Sequence, residues 1–409
     1  MGVHVLSLWN VKAKLWIKGR EDFPEVDYTN AKHNIIWMHC ASLGEFEQGR
    51  PLLEEIKLYY PECKIVVTFF SPSGYEIVKG FKGADHVFYL PQDSPGNAKR
   101  FIEQTNPSLV LWVKYEYWFY YLNELKKKNI PTLLVSGVYR ENMTFFKWYG
   151  YLWKKMLASF THFFVQNEQS KNILEKLING SKITCSGDTR FDRVISIVEK
   201  FEHVPGIEKF CGNNQVIVAG STWEDDEAEW THYIKNHHDI KFIIAPHEID
   251  KENLAYVKKQ FPGSVFYSEW MQIIKEKSEA GNQKSLHHCL IIDNIGMLSR
   301  LYYYATICFV GGGFGDDGLH NILEAAVYGK PVIFGPEFEK NFEAIEMMET
   351  DGAISIENAL ELEKTLNKLL NDDDELKRRG EAAKNYVYTQ SGATKKIMDF
   401  IQKNLLLTN

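Results

Sequence analysis

The sequence predicts an α/β protein made of two units, each an alternation of parallel strands and helices. Three observations carry this. Short apolar runs rich in β-branched residues, at Ile35–Cys40, 64–70, 215–219 and 306–310, read as buried parallel strands. Each is followed by a loop of small residues or glycines and then a helical stretch. The alternation lapses across 186–214, around Pro205 and Gly206, and restarts at Gln215. A chain of 409 residues suits two domains of ordinary size.

Residues 1–20 form a segment of their own. Leu6, Leu8, Trp9, Val11, Leu15, Trp16 and Ile17 are set among Lys12, Lys14, Lys18 and Arg20, with no acid. The apolar run is too short and too interrupted to span a bilayer, and it lacks the charge order and cleavage site of a secretory signal. Two readings stay open: a basic amphipathic segment on an anionic membrane surface, or a helix packed on the domain. A first domain then covers 21–200. It begins with the strand Ile35–Cys40, the loop 41–44, a helix from Glu45 to about Tyr60 stopped by Pro61, and a strand at 64–70. Further strands are expected at His86–Tyr89, Leu109–Val113, 132–135 and His162–Val165, and a polar loop at 187–193. A second domain covers 210–409, with strands at 215–219, 241–245, 288–292, 306–310, 331–334 and 352–356. Its last helix runs to about Leu407 and is free to pack back toward the first domain.

Composition excludes some functions. Acids outnumber bases 54 to 47, a net charge of −7, so the chain as a whole does not attract nucleic acid. None of the six cysteines is in C-x-x-C spacing, which points to reduced core residues and away from zinc. His287 and His288 beside Cys289 resemble a metal cluster, but they read better as a loop entering a strand. No metal and no cofactor are expected.

The stretch 306–336 is the most informative. Gly311, Gly312, Gly313, Gly315 and Gly318 separate a strand from a short helix that Asn321 is expected to cap and Gly329 and Pro331 to end. A helix N-terminus behind such a loop offers unpaired N–H groups to an anion, and Glu324 in its first turn is placed to accept from sugar hydroxyls. The alternative is an ordinary crossover with no ligand. Ser221 and Glu224 fit the capping box S-x-x-E, which accounts for the acids at 224–227 as first-turn carboxylates. Gly220, Ser221 and Thr222 still offer donors to an anion. Glu45 opens a helix beside a glycine, either as a general base or as a complement to the helix dipole. Glu116, just after a strand, has the same two readings. His247, at a strand end, is either a ligand contact or a structural histidine.

Motifs run in order along nearly the whole chain: Trp37-Met-His-Cys-Ala-Ser-Leu-Gly-Glu45, Pro72-Ser-Gly74, Glu116-Tyr-Trp118, Gln166-Asn-Glu168, Gly187 through Phe191-Asp192, Gly311-Gly312, His320-Asn-Ile-Leu-Glu324, Gly335-Pro336 and Asn341-Phe342. In order and spacing the sequence resembles the Kdo (3-deoxy-D-manno-octulosonic acid) transferases of lipopolysaccharide synthesis. The resemblance implies a GT-B glycosyltransferase, two Rossmann-like domains facing a central cleft. It implies transfer of Kdo from CMP-Kdo to a lipid A precursor, with no metal, at the cytoplasmic face of the inner membrane, held peripherally or by an N-terminal anchor. Carried onto this chain, Glu45 looks like the catalytic base and Glu116 like a second active-site carboxylate. Gly312, Gly313, His320, Asn321 and Glu324 look like the donor site, with His247 and Asn341 beside them. Ser221, Thr222 and Arg190 look like residues near the phosphate or the Kdo carboxylate.

The chain departs from the family pattern in places. Pro246-His247 stands where Pro-Arg-His is usual, Gly296-Met-Leu298 where Gly-Glu-Leu is usual, Leu319 replaces a glycine, and Lys114 replaces an acid. Many members carry a longer apolar N-terminal segment, of which 8–20 looks like the trailing part. Two other readings are kept. One is another GT-B nucleotide-sugar enzyme, a UDP-sugar epimerase or transferase, against which the 41–45 motif and the basic segment argue. The other is a non-catalytic membrane-bound scaffold, against which Glu45, Glu116 and Glu324 argue.

Overall fold

A strand that reads Ile-Ile-Trp-Met-His-Cys has no polar face, and β1 (Ile35–Cys40) is buried along its whole length. The computed structural model describes residues 10–30, 32–114, 116–277, 287–316 and 318–407; Leu6, Leu8 and Trp9 lie outside them. Around β1 the first unit builds an all-parallel sheet from β2 (Lys64–Phe69), β3 (His86–Tyr89), β4 (Leu109–Val113), β5 (Thr132–Gly137), β6 (His162–Val165) and β7 (Ile183–Cys185). Its order is β3-β2-β1-β4-β5-β6-β7. On one face Trp37 meets Phe101, Trp112 and Tyr121 edge-on at 5.0, 5.6 and 5.9 Å. On the other, Met38 and Leu111 pack with Leu52, Leu53 and Ile56 of the helix Leu43–Tyr59.

The second unit repeats the plan with β8 (Val216–Thr222), β9 (Lys241–Pro246), β10 (Val265–Phe266), β11 (Cys289–Ile291), β12 (Ile307–Val310), β13 (Val332–Phe334) and β14 (Ala353–Ser355). The order is β10-β11-β9-β8-β12-β13-β14, again parallel throughout. Trp230, on the helix Glu224–Asn236, is fully buried against Phe309 at 5.2 Å. In each sheet the chain completes one side of the first strand, then returns to begin the other. The return falls between β1 and β4 in the first unit and between β8 and β12 in the second. Loops leaving such a pair of strands turn opposite ways and open a crevice at their carboxyl ends.

The edge strands β7 and β10 have no counterpart among the expected strands, because three and two residues are too few to show a period. Residues 187–193 are not a loop. The helix Thr189–Glu199 begins there, and the Asp188 carboxylate accepts the Arg190 N–H at 2.9 Å to start it. All six cysteines are free thiols, five buried and Cys185 half-buried. Among the described residues no helix is long and apolar enough to cross a membrane.

The basic segment at the start is partly turned inward. Val11–Lys18 is a helix capped by Asn10, and Trp16 meets Phe70 edge-on at 5.8 Å. Arg20 does not serve as a surface charge. Its Nε donates to the Leu90 carbonyl at 2.9 Å and its Nη2 to that of Phe70 at 2.8 Å, with the guanidinium 4.2 Å from the Trp16 ring centroid. Burial lowers its pKa to about 10. The strand-end carbonyls that hold it belong to the same edge as the β1–β4 crevice.

The chain divides at Arg193, inside the helix Thr189–Glu199; the second unit is Val194–Gln390, and the first takes up the chain again at Ser391. The last helix, Ala393–Lys403, buries Ile397, Met398 and Ile401 against the first sheet. Asp192 caps it, accepting the Gly392 and Thr394 N–H groups, both at 2.6 Å. Removing such a charged cap costs about 1–2 kcal/mol. Asp192→Ala should therefore lower urea stability by that amount and speed hydrogen exchange over 393–403 first. Unchanged exchange there would mean that apolar packing alone holds the helix.

Candidate active site

The β1 exit loop is so short that Glu45 comes at the third residue of its helix, 8% exposed, with its carboxylate accepting the Ala41 N–H. Burial raises its pKa to about 7; the field of Glu116 adds to this, while the Ala41 bond and the Lys114 charge oppose it. Lys114 leaves β4 in a left-handed conformation, φ 58°. Glu116 follows, and its Oε2 is held by His39 Nε2 at 3.0 Å and Trp118 Nε1 at 3.2 Å. His39 is fully buried on β1, with Nδ1 2.9 Å from Thr68 Oγ1, which also accepts Trp37 Nε1–H at 2.8 Å. The Thr68 hydroxyl, whose oxygen accepts the Trp37 indole N–H, can donate its own proton to His39 Nδ1. That leaves His39 Nε2–H to donate to Glu116, which a carboxylate requires. The β1–β4 crevice thus holds two carboxylates, one nearly out of water and one held by a wired histidine.

Arg190 belongs to this unit. Its Nε donates to Asp188 Oδ2 at 2.8 Å. Asp188 is buried and also accepts from Gln166 Nε2 at 2.8 Å and from Gln48, on the Glu45 helix, at 3.2 Å.

In the second unit the β8–β12 crevice gathers Ser221, Thr222, Gly312, Gly313 and His320, with His247 at the end of β9. Ser221 is left-handed, φ 54°. Several expected anion donors are already committed. Thr222 is buried and its hydroxyl donates to Glu227 Oε1 at 2.9 Å. The Gly311 N–H donates to the Gly220 carbonyl at 2.9 Å and the Gly312 N–H to Asp226 Oδ2 at 2.8 Å. The helix behind the glycines is one turn, Leu323–Ala326, so it brings little dipole. Asn321 does not occupy its cap position, although its Oδ1 accepts the Leu323 N–H at 3.2 Å; its Nδ2 donates to Glu324 Oε1, also at 3.2 Å. Asn341 Nδ2 holds the Leu319 carbonyl at 2.9 Å and so fixes the loop before His320.

The capping of the helix Glu224–Asn236 also differs from the Ser221–Glu224 expectation. Asp226 accepts the Trp223 N–H at 2.9 Å, two residues later, because β8 runs on to Thr222. Glu224 and Asp225 are exposed, as first-turn carboxylates are, but Asp226 and Glu227 are buried. Burial raises their pKa values to about 6 and about 7.

Sequence reasoning did not single out Trp223, His39 or Thr68. Trp223 Nε1 donates to His320 Nε2 at 2.9 Å, with the two rings 13° from parallel. The His247 ring stacks on both, at 4.6 Å from Trp223 and 4.4 Å from His320. His320 therefore carries its proton on Nδ1 when neutral. A tryptophan directly after the strand-end pair Ser221-Thr222 was the available signal. For His39 it was a histidine inside an otherwise apolar strand.

A family model described as 3-deoxy-D-manno-octulosonic-acid transferase (kdotransferase) matches residues 17–193, the stretch that holds Glu45 and Glu116. A 3-deoxy-D-manno-octulosonic acid transferase of Chlamydophila psittaci is 28% identical over 364 residues, 86% of this chain and 80% of that protein. One of Aquifex aeolicus is 28% identical over 362 residues, 87% of this chain and 91% of that protein. Its first unit matches the Kdo transferase family model, and most of the chain resembles Kdo transferases in sequence. The resemblance supports a glycosyltransferase. Among solved structures, UDP-GlcNAc 2-epimerase from Neisseria meningitidis, bound to UDP-GlcNAc, matches with a TM-score of 0.64 at 15% identity, over 90% of this chain and 100% of that one. A glycosyltransferase from Rickettsia africae ESF-5 matches with a TM-score of 0.57 at 17% identity, over 91% and 99%. These likenesses are of fold alone, and the fold is GT-B.

In this chain the raised pKa of Glu45 has a measurable consequence. The folded value is about 7 against an ordinary 4.5, so the folded state holds the proton more tightly. Stability is undiminished below about pH 4.5 and declines as pH rises to about 7, by a total of about 3 kcal/mol. Glu45→Gln keeps an acceptor for the Ala41 N–H and removes the charge. Urea unfolding should find the variant more stable than the wild type at pH 8 and nearly equal to it at pH 4. Parallel stability curves for the two proteins would show that Glu45 ionises freely.

Proposed function

We propose that the chain transfers Kdo from CMP-Kdo to a sugar hydroxyl of a lipid A precursor. The observation that carries this is Glu45, a buried carboxylate with a pKa near neutrality, at the β1–β4 crevice of a chain that resembles Kdo transferases. A base of that strength is matched to taking a proton from a hydroxyl at neutral pH. As the bond from the sugar to the CMP phosphate breaks, the sugar gains oxocarbenium character. The acceptor oxygen forms the new bond and its proton passes to Glu45, while CMP departs with the bonding electrons. Burial, with a smaller contribution from Glu116, keeps the proton affinity of Glu45 high. In the second unit His320, Asn321 and Glu324 make up the donor side of this reading. Arg190, tied to Asp188, belongs in this reading to the acceptor-side unit. The epimerase reading rests on fold alone, whereas the sequence relatives are named as transferases.

A lipid acceptor brings the enzyme to an anionic membrane surface, in this reading the cytoplasmic face of the inner membrane. With Arg20 turned inward, Lys12, Lys14 and Lys18 remain at the start of the chain. A second surface on the same unit has the matching character. Trp148 is 94% and Tyr151 73% exposed, with Tyr149 and Leu152 beside them and Lys147, Lys154 and Lys155 interleaved.

Two measurements test these proposals. With CMP-Kdo and a lipid A precursor, Glu45→Gln should lower the rate of formation of Kdo-bearing product by roughly 10²–10⁴. The wild-type rate should rise with pH up to about 7 and then level, since the base must be unprotonated; near-normal turnover by the variant removes Glu45 from the chemistry. In sedimentation with anionic vesicles, Trp148→Ala combined with Tyr151→Ala should weaken binding, and added salt should weaken it further. Binding by that variant equal to the wild type would return the membrane contact to the N-terminal segment.

A further inference from the structure

We infer that Asp226 is the positioning residue of the second unit's site: its carboxylate sets the 311–313 turn on one side and, through Trp223, the ring of His320 on the other. The inference rests on the reading of that unit as the donor site. Asp226 is fully buried, and its Oδ2 accepts two backbone protons, from Gly312 at 2.8 Å and from Trp223 at 2.9 Å. Those amides lie on the loops leaving β12 and β8, the neighbours that flank the crevice. One oxygen therefore joins two loops that diverge by topology.

The geometry leaves the turn little choice. A Cβ on Gly311 would lie 2.4 Å from the Ser221 carbonyl oxygen and 2.7 Å from Asp226 Oδ2, so the backbone rests directly on the carboxylate. Gly312 is left-handed, φ 88°, which points its N–H down to Asp226. On the other side, a fixed Trp223 backbone directs the indole N–H at His320 Nε2, 2.9 Å away. His320 is then held with its proton on Nδ1, and His247 stacks over the pair. Without Asp226 two buried N–H groups lose their acceptor, and both walls are free to relax. A residue placed only to start a helix would need neither the Gly312 bond nor full burial. Burial also makes the charge costly, since the pKa of Asp226 is raised to about 6.

The experiment compares Asp226→Ala with Asp226→Asn, whose amide oxygen can take the place of Oδ2. Asp226→Ala should raise the Kd for CMP and the donor KM about tenfold or more, with the acceptor KM unchanged. Asp226→Asn should stay within about threefold of the wild type. In ligand-free protein with ¹⁵N-labelled histidine, assigned through His320→Gln, wild type and Asp226→Asn should show the Nδ1-protonated tautomer of His320. Asp226→Ala should show exchange between tautomers. CMP affinity unchanged in Asp226→Ala, a rise in acceptor KM in step with donor KM, or an unaltered His320 signal would each overturn the assignment. If the wild type binds no CMP, the donor reading fails, and the ligand-free histidine spectrum still decides whether Asp226 positions the ring.

Discussion

A parallel sheet covered on both faces leaves no polar side to the strands that build it, and this constraint governs both units. Strands such as Ile35–Cys40 and Ile307–Val310 are buried throughout, so polar groups gather at their ends. Completing one side of the first strand before beginning the other makes one pair of neighbours in each sheet send its loops apart. The crevice between them is where side chains from distant parts of the chain converge without disturbing the core. Glu45 and Glu116 meet at one such place, and Gly312, Thr222 and His320 at the other.

Burial at these crevices has an electrostatic cost that differs from residue to residue. Glu45, Asp226 and Glu227 are each nearly excluded from water, and in each the charged form is disfavoured. Backbone N–H groups or a hydroxyl offset part of that cost for each. In the proposed transfer the remainder is useful for Glu45, because a carboxylate with a pKa near 7 is a competent base at neutral pH. For Asp226 the offset comes from two loops at once, so the same bonds that stabilise its charge fix the shape of the site. Left-handed Ser221 and Lys114, at the strand ends of the same crevices, show backbone strain in the same places.

Much of this was legible in the chain. The strand, small-residue loop and helix around 35–45 announce a carboxylate at a helix start, and the 306–336 stretch announces a strand, a glycine turn and a strand. Both hold because the apolar run and the glycines act locally. That the helix after the glycine turn is short was legible, but not that it is a single turn starting at Leu323. Asn321 and Glu324 look like a cap and a first turn, yet the helix is Leu323–Ala326 only, and the amides that would face an anion are spent on Gly220 and Asp226. Arg20 misleads similarly, since a base among lysines looks like surface charge until the Leu90 and Phe70 carbonyls are brought to it.

The sequence by itself determined the two parallel α/β units, the strands whose residues are apolar on both faces, and the resemblance to Kdo transferases with its two conspicuous carboxylates. These depend on patterns within ten or so consecutive residues, or on motifs kept in order. Tertiary structure alone decided which groups are wired together. His39 meets Thr68 because β1 and β2 pair in that register, 29 residues apart in the chain. Asp226 meets Gly312 across 86 residues because β8 lies beside β12 with Gly220 opposite Val310. A strand's composition says that it is buried, but not which neighbour it takes. That choice is made by the packing of the whole sheet, and with it the partners, tautomers and proton affinities of the site.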